Sequence, residues 1–214
     1  MSCSQCVGIE DMFDDEHVED ELKRFHRRGP RRTTRILIRE LAARGVEGST
    51  VLEVGGGVGA VHLALLEAGA RAATDVEASK AFLRAAKKEA ARRHLDNHVT
   101  HHHGNFVDLA PGIAAADIVV LDRVVCCYDD AQSLLGLAAE RTRGLMGLVY
   151  PQDSWLSRLI NWAFNLRWVR QTNGFKTYVH SRESVEAVVR SRGLQLQRRI
   201  AGGFWQVAVF SRPR

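Results

Sequence analysis

The chain has 214 residues, 45% of them hydrophobic, and a formal net charge of +5. That suits one α/β domain with short additions and excludes a second full domain, since domains run from roughly 50 to 250 residues. No stretch approaches the roughly 18 consecutive apolar residues of a membrane helix, no basic-then-apolar leader opens the chain, and the four cysteines form no extracellular disulfide framework. A cytoplasmic protein with reduced thiols is the expectation. The excess charge leaves an acidic partner such as RNA open, with Arg24 to Arg35 as its footprint, although a solvated basic face is the simpler reading.

Residues 1–30 read as a helical cap: Met12, Phe13, Val18, Leu22 and Phe25 recur at helical spacing until Gly29-Pro30 stops the pattern. Thr33 or Thr34 is placed to cap a second helix carrying Ile36, Leu37, Ile38 and Leu41. From Thr50 strands and helices alternate: strand 50–54, helix 58–67, strand 71–76, helix 79–94, strand 99–103, strand 117–121, helix 129–142 and strand 144–150. Such alternation predicts βαβ units in a parallel sheet. Residues 152–170 carry three tryptophans and several aliphatic residues, which suits a helix packed in the core, a lid over a substrate or, least of all, a membrane-surface element. A helix over 181–192 and two strands, 193–200 and 204–211, joined through Gly202-Gly203, predict an antiparallel hairpin at the sheet edge.

The segment Thr50 to Ala60, in which Val-Leu-Glu-Val opens into Gly55-Gly56-Gly57-Val58-Gly59, predicts a strand-to-helix turn that binds a cofactor. Glycines permit positive φ and close ligand approach, and the amides of the following helix point at the ligand. A dinucleotide would satisfy the loop alone, because Gly55, Gly57 and Ala60 also fit G-x-G-x-x-A. Glu53 just before the turn would repel a pyrophosphate but could accept from an ammonium group. An acid after the next strand, Asp75 or Glu77, could accept from ribose hydroxyls. The terminal hairpin after five parallel strands does not suit a fold of two mononucleotide halves. Together these favour S-adenosylmethionine.

On these residues the chain from about Arg31 to Arg214 resembles the class I S-adenosylmethionine-dependent methyltransferases, whose first motif reads E/D-x-G-x-G-x-G. The resemblance implies a Rossmann-like α/β fold, a seven-stranded sheet of order 3-2-1-4-5-7-6 with the last strand antiparallel and helices on both faces, and a methyltransferase domain over 31–214. It implies that Glu53, Gly55, Gly56, Gly57 and Gly59 hold the methionine part, that Glu77, with Asp75 as its understudy, takes the ribose, and that Asn105 and Phe106 meet the adenine. Asn105 stands where the family commonly has Asp. Leu121-Asp122-Arg123 falls at the strand end where the family gathers ligand-facing groups. Arg27 to Pro30, Val124 to Asp129 and Gly203 to Gln206 are also loosely similar to magnesium-protoporphyrin methyltransferases.

Methyl transfer needs a positioned nucleophile and, for some acceptors, a base. Asp122, Tyr128 and His180 are the candidates, with Tyr178 behind them. Asp122 could instead pair with Arg123, and His180 could cap the helix after it. No metal site is expected: Cys3 and Cys6 are half a zinc knuckle, Cys126 and Cys127 read as packed thiols, and the run His101 to His103 alternates faces and reads as a surface feature. The expected activity is methyl transfer to a small, apolar or planar molecule; the rivals are an RNA methyltransferase and a non-catalytic cofactor-binding module.

Overall fold

The computed structural model describes residues 4–168 and 175–213, apart from the side chains of 4–7 and 168. Short β-branched runs that alternate with amphipathic helices can bury both faces of a sheet only by wrapping it in helices. The strands are β1 (Thr50–Val54), β2 (Ala72–Glu77), β3 (Val99–His103), β4 (Ala116–Asp122), β5 (Thr142–Pro151), β6 (Gln195–Gly202) and β7 (Trp205–Ser211). They form one sheet of order β3-β2-β1-β4-β5-β7-β6. β7 runs antiparallel between β5 and β6, and the other pairings are parallel.

The principal helices are α1 (Ser4–Met12), α2 (Asp15–Arg28), α3 (Arg32–Ala42), α4 (Ala60–Glu67), α5 (Lys80–Arg92), α6 (Phe106–Leu109), α7 (Ala131–Glu140), α8 (Trp155–Trp168) and α9 (Arg182–Ser191). α3 and α4 bury Leu37, Leu41, Leu63 and Leu65 on one face of the sheet, and α7 and α9 bury Leu134, Leu135, Val185 and Val189 on the other. Each such side chain contributes roughly 1.5–3 kcal/mol of burial. Among the described residues, no helix is long and apolar enough to cross a membrane.

Residues 4–28 form two helices where the periodicity suggested one. The Asp14 side chain accepts from the His17 amide at 2.9 Å and starts α2 afresh. α2 then docks through Val18 and Phe25 onto Ala81, Phe82 and Ala85 of α5. His26 pairs with the buried Glu89 at 2.9 Å. Burial alone would raise the Glu89 carboxyl, but Arg92, His26 and Arg93 outweigh it and hold it near 2.

Neither Thr33 nor Thr34 caps α3, which starts after Arg31 without a side-chain cap, because both hydroxyls bond to residues at the end of β4. α8 is not a core helix, since most of its apolar side chains are exposed. Cys3, and the end of the helix expected over 152–170, lie outside the described residues, as does the Cys6 side chain.

Candidate functional site

Parallel α/β sheets leave a crevice beyond the carboxyl ends of their strands, where loops from neighbouring strands diverge. Here that crevice is a cavity of about 500 Å³ walled by the glycine turn, the ends of β2 and β4, and the two N-terminal helices. Six of the residues expected at the cofactor, Glu53, Gly55, Gly56, Gly57, Glu77 and Phe106, line it together with Asp122 and Tyr128.

The glycine turn is fixed by contacts on its far side. A Cβ on Gly56 would stand 2.4 Å from Asp75 Oδ1, so a larger residue would push the turn off the sheet. Gly57 has φ +57°, and its Cβ would face open cavity with nothing nearer than Phe82 at 4.0 Å. The Gly57 amide donates to Glu77 Oε2 at 3.0 Å, and the Ser79 amide to Glu77 Oε1 at 2.8 Å. That leaves lone pairs on the carboxylate for donors from a ligand, and a pair of ribose hydroxyls suits them. Burial pushes the Glu77 carboxyl up to about 7.

Below the turn a second set of acids is engaged with histidines. Register aligns Glu53, Asp75 and His101 side by side across β1, β2 and β3. His62, from α4, donates its backbone amide to Glu53 Oε2 at 2.8 Å and brings Nδ1 to 2.7 Å from the same oxygen. Burial raises the Glu53 carboxyl. Asp75 Oδ2 lies 2.9 Å from His101 Nδ1.

Asp75, expected as the understudy to Glu77, lies against Gly56 beneath the turn and does not line the cavity. His101 is correspondingly not a surface residue, with its side chain 8% exposed.

Three more expected cofactor residues lie off the wall. Gly59 caps α4, where a Cβ would meet Leu63 at 2.9 Å and His62 at 3.0 Å. Leu121 is fully buried in the core, because alternation along β4 turns it away from the cavity that Asp122 lines. The Asn105 side chain caps α6 by accepting from the Val107 amide at 3.2 Å, and it also accepts from the Tyr128 hydroxyl.

At the end of β4 Asp122, 13% exposed, accepts from the Thr34 hydroxyl at 2.5 Å through Oδ2, and its buried Oδ1 has no hydrogen-bond partner. Burial raises this carboxyl. Arg123 is held at φ +65°, a region non-glycine residues seldom enter, which marks a strained strand end. Its amide donates to Val149 O at 2.8 Å, its guanidinium donates to Thr33 Oγ1 at 2.9 Å, and the guanidinium sits 5.0 Å over the Trp205 ring. The expected Asp122–Arg123 pairing is loose, at 3.9 Å.

His180 does not line the cavity. Its Nε2 lies 2.7 Å from the Tyr128 carbonyl oxygen, which can only accept, so that nitrogen carries the proton and the ring braces the Tyr128 segment. His180 does not cap α9 either, because Ser181 does so by accepting from the Ser184 amide. Cys126 and Cys127, read as packing residues, both reach the cavity wall. Cys127 stays a thiol at neutral pH, pushed up by its contact with Cys126 and by burial.

Sequence reasoning missed Thr34 as part of this wall, along with Phe175 and Trp205. The signal available was a pair of adjacent hydroxyls in the first turn of α3.

Residues 51–143 match a protein family described as a methyltransferase domain. Among solved structures, magnesium protoporphyrin IX methyltransferase from Synechocystis PCC 6803, with bound S-adenosylhomocysteine, superposes with a TM-score of 0.70 at 17% identity over 85% of this chain and 82% of that one. An O-methyltransferase family protein from Burkholderia thailandensis gives 0.73 at 20% identity over 94% of this chain and 61% of that one. A geranyl diphosphate methyltransferase gives 0.66 at 16% identity over 84% and 76%. No curated protein matches in sequence. Residues 51–143 thus match a methyltransferase domain, and the sheet, carried on to Ser211, has the fold of the solved methyltransferases it resembles.

Proposed function

We propose that this cytoplasmic protein methylates a small, apolar or planar molecule held in the half of the cavity remote from the glycine turn. One observation carries the reading: the lining of the cavity is rich in aromatic side chains, among them Phe13 and Phe25 from the N-terminal helices, Phe164 from α8, then Phe175 and Trp205. Aromatic walls bind apolar ligands and exclude water. Two of the structural neighbours named above are named for magnesium protoporphyrin IX and for geranyl diphosphate.

When bound, S-adenosylmethionine supplies a sulfonium methyl that is already a strong electrophile. In this reading the backbone of Gly55 to Gly57 and the Glu53 carboxylate would hold its amino-acid end, Glu77 would take its ribose hydroxyls, and Phe106 would pack on its base. Residues 1–30 act as a cap that closes the acceptor side. Asp122 is the candidate base: Thr34 fixes its orientation, and its unpartnered Oδ1 can take a proton from an acceptor hydroxyl or carboxyl. Tyr128 shapes the wall beside it.

The experiment is transfer of an isotopically labelled methyl group to a panel of planar aromatic and isoprenoid alcohols and acids, with RNA alongside. Labelled small molecules and unlabelled RNA are expected. Labelled RNA with an inert panel would replace this reading with the RNA one, and cofactor binding without transfer to any acceptor would favour the non-catalytic module.

A further inference from the structure

Surface helices ordinarily turn their apolar stripe inward. α8 does the reverse. Ser157 is buried, and Asn161 and Asn165 each donate to Thr177 O at 2.8 Å, so the helix is fastened to the protein through its polar side. Thr177 answers with its amide to Asn165 Oδ1 at 2.8 Å and its hydroxyl to Asn161 Oδ1 at 2.7 Å. Phe164 is the aromatic side chain of this inward side and lines the cavity.

At 100° per residue the remaining apolar side chains, Trp155, Leu156, Leu159, Ile160, Trp162 and Leu166, fall on one outward arc of roughly 160°. Trp155 is 77% exposed, Trp162 62% and Leu166 61%, and the other three are about half exposed. Hydrophobic surface of this extent, held outward by side-chain hydrogen bonds on the opposite face, needs a cover.

Charge selects among the covers. Arg158 and Arg167 fall near the two edges of the arc, and the helix contains no Asp or Glu. Arg158 is 65% exposed even while paired with Asp153 at 2.9 Å. Lys176, next to the strap residue Thr177, is also exposed. A second copy packed helix to helix would set these arginine edges against each other, and no acid on the helix could answer them. An anionic lipid surface answers both properties, because the arc sinks into the acyl boundary while arginines at its edges reach the headgroups.

We propose that α8 is an interfacial helix that seats the protein on anionic phospholipid membranes, lying in the surface without crossing it. This is independent of the acceptor reading above.

The test is co-sedimentation of the full chain with vesicles of phosphatidylcholine containing phosphatidylglycerol, together with tryptophan emission. The protein is expected to sediment with the vesicles and its emission to shift to the blue as Trp155 and Trp162 leave water. Binding should be weaker by at least about tenfold on pure phosphatidylcholine or at high salt. A Trp155→Ser, Leu159→Ser, Trp162→Ser variant, which alters only exposed side chains, should bind S-adenosylhomocysteine like the parent and lose vesicle binding by a similar factor. Failure of the parent to bind anionic vesicles at low salt would overturn the proposal. So would vesicle binding that survives in the triple variant, or a dimer that the triple substitution dissolves while vesicles are ignored.

Discussion

Gly57→Arg is expected to fold and to bind no measurable S-adenosylhomocysteine. The position has φ +57°, which costs a non-glycine residue on the order of 1–2 kcal/mol, a loss a domain of this size survives. The new side chain does not clash with the core, because the Cβ direction leads into the cavity, toward Phe82 and away from the sheet. An arginine there fills the cradle and adds a cation to a site that must hold a cationic cofactor. Affinity should fall by about a thousandfold or more, equivalent to roughly 4 kcal/mol. Circular dichroism checks the fold and calorimetry the binding. A variant that binds like the parent would mean that the donor lies elsewhere.

Asp122→Asn is expected to lower kcat by about 10²- to 10⁴-fold, the range associated with a lost general base. S-adenosylhomocysteine affinity should stay within a few-fold, since the substitution is isosteric and lies on β4, two strands from Glu77 on β2. The burial that raises the Asp122 carboxyl in the parent moves it toward neutrality, which suits proton abstraction at physiological pH. The parent should therefore show a rate that rises with pH through the Asp122 ionisation, and Asp122→Asn should lose that limb. If kcat is unchanged while stability falls, Asp122 serves only to hold Thr34 and the start of α3.

What the sequence made legible was local. The glycine turn, the acid Glu77 before Ser79 and the closing hairpin each depend on neighbours a few residues away, and turn chemistry and period report such neighbours directly. The Thr34–Asp122 and Thr33–Arg123 bonds span 88 and 90 residues, so the threonines looked like helix caps until the fold brought β4 beside them. Asp75 and Glu77 share a face of β2 by alternation, and only the register with His101 separates the buried one from the one at the cavity. For α8, the sequence showed a run of tryptophans and aliphatic residues but carried no information about which side faces the protein. The hydrogen bonds of Asn161 and Asn165 to Thr177 decide that, and they too are tertiary.

Calorimetry of S-adenosylhomocysteine binding to the intact protein, repeated from pH 6 to pH 8 with a nicotinamide dinucleotide as the control ligand, bears most directly on the assignment of this site. Burial raises Glu77 from 4.5 to about 7 in the free protein, so the folded state keeps a proton that the unfolded chain has lost. The free protein accordingly loses stability as pH climbs from 4.5 to 7, by about 3 kcal/mol in full. Ribose hydroxyls donate to the anion, so binding expels that proton and affinity should rise by up to about tenfold per pH unit below 7 and level off above it. One mole bound per mole of protein, tighter at pH 8 than at pH 6, is the predicted result. Binding of the dinucleotide with none of S-adenosylhomocysteine would contradict the assignment of the glycine turn and Glu77 to a methyl donor.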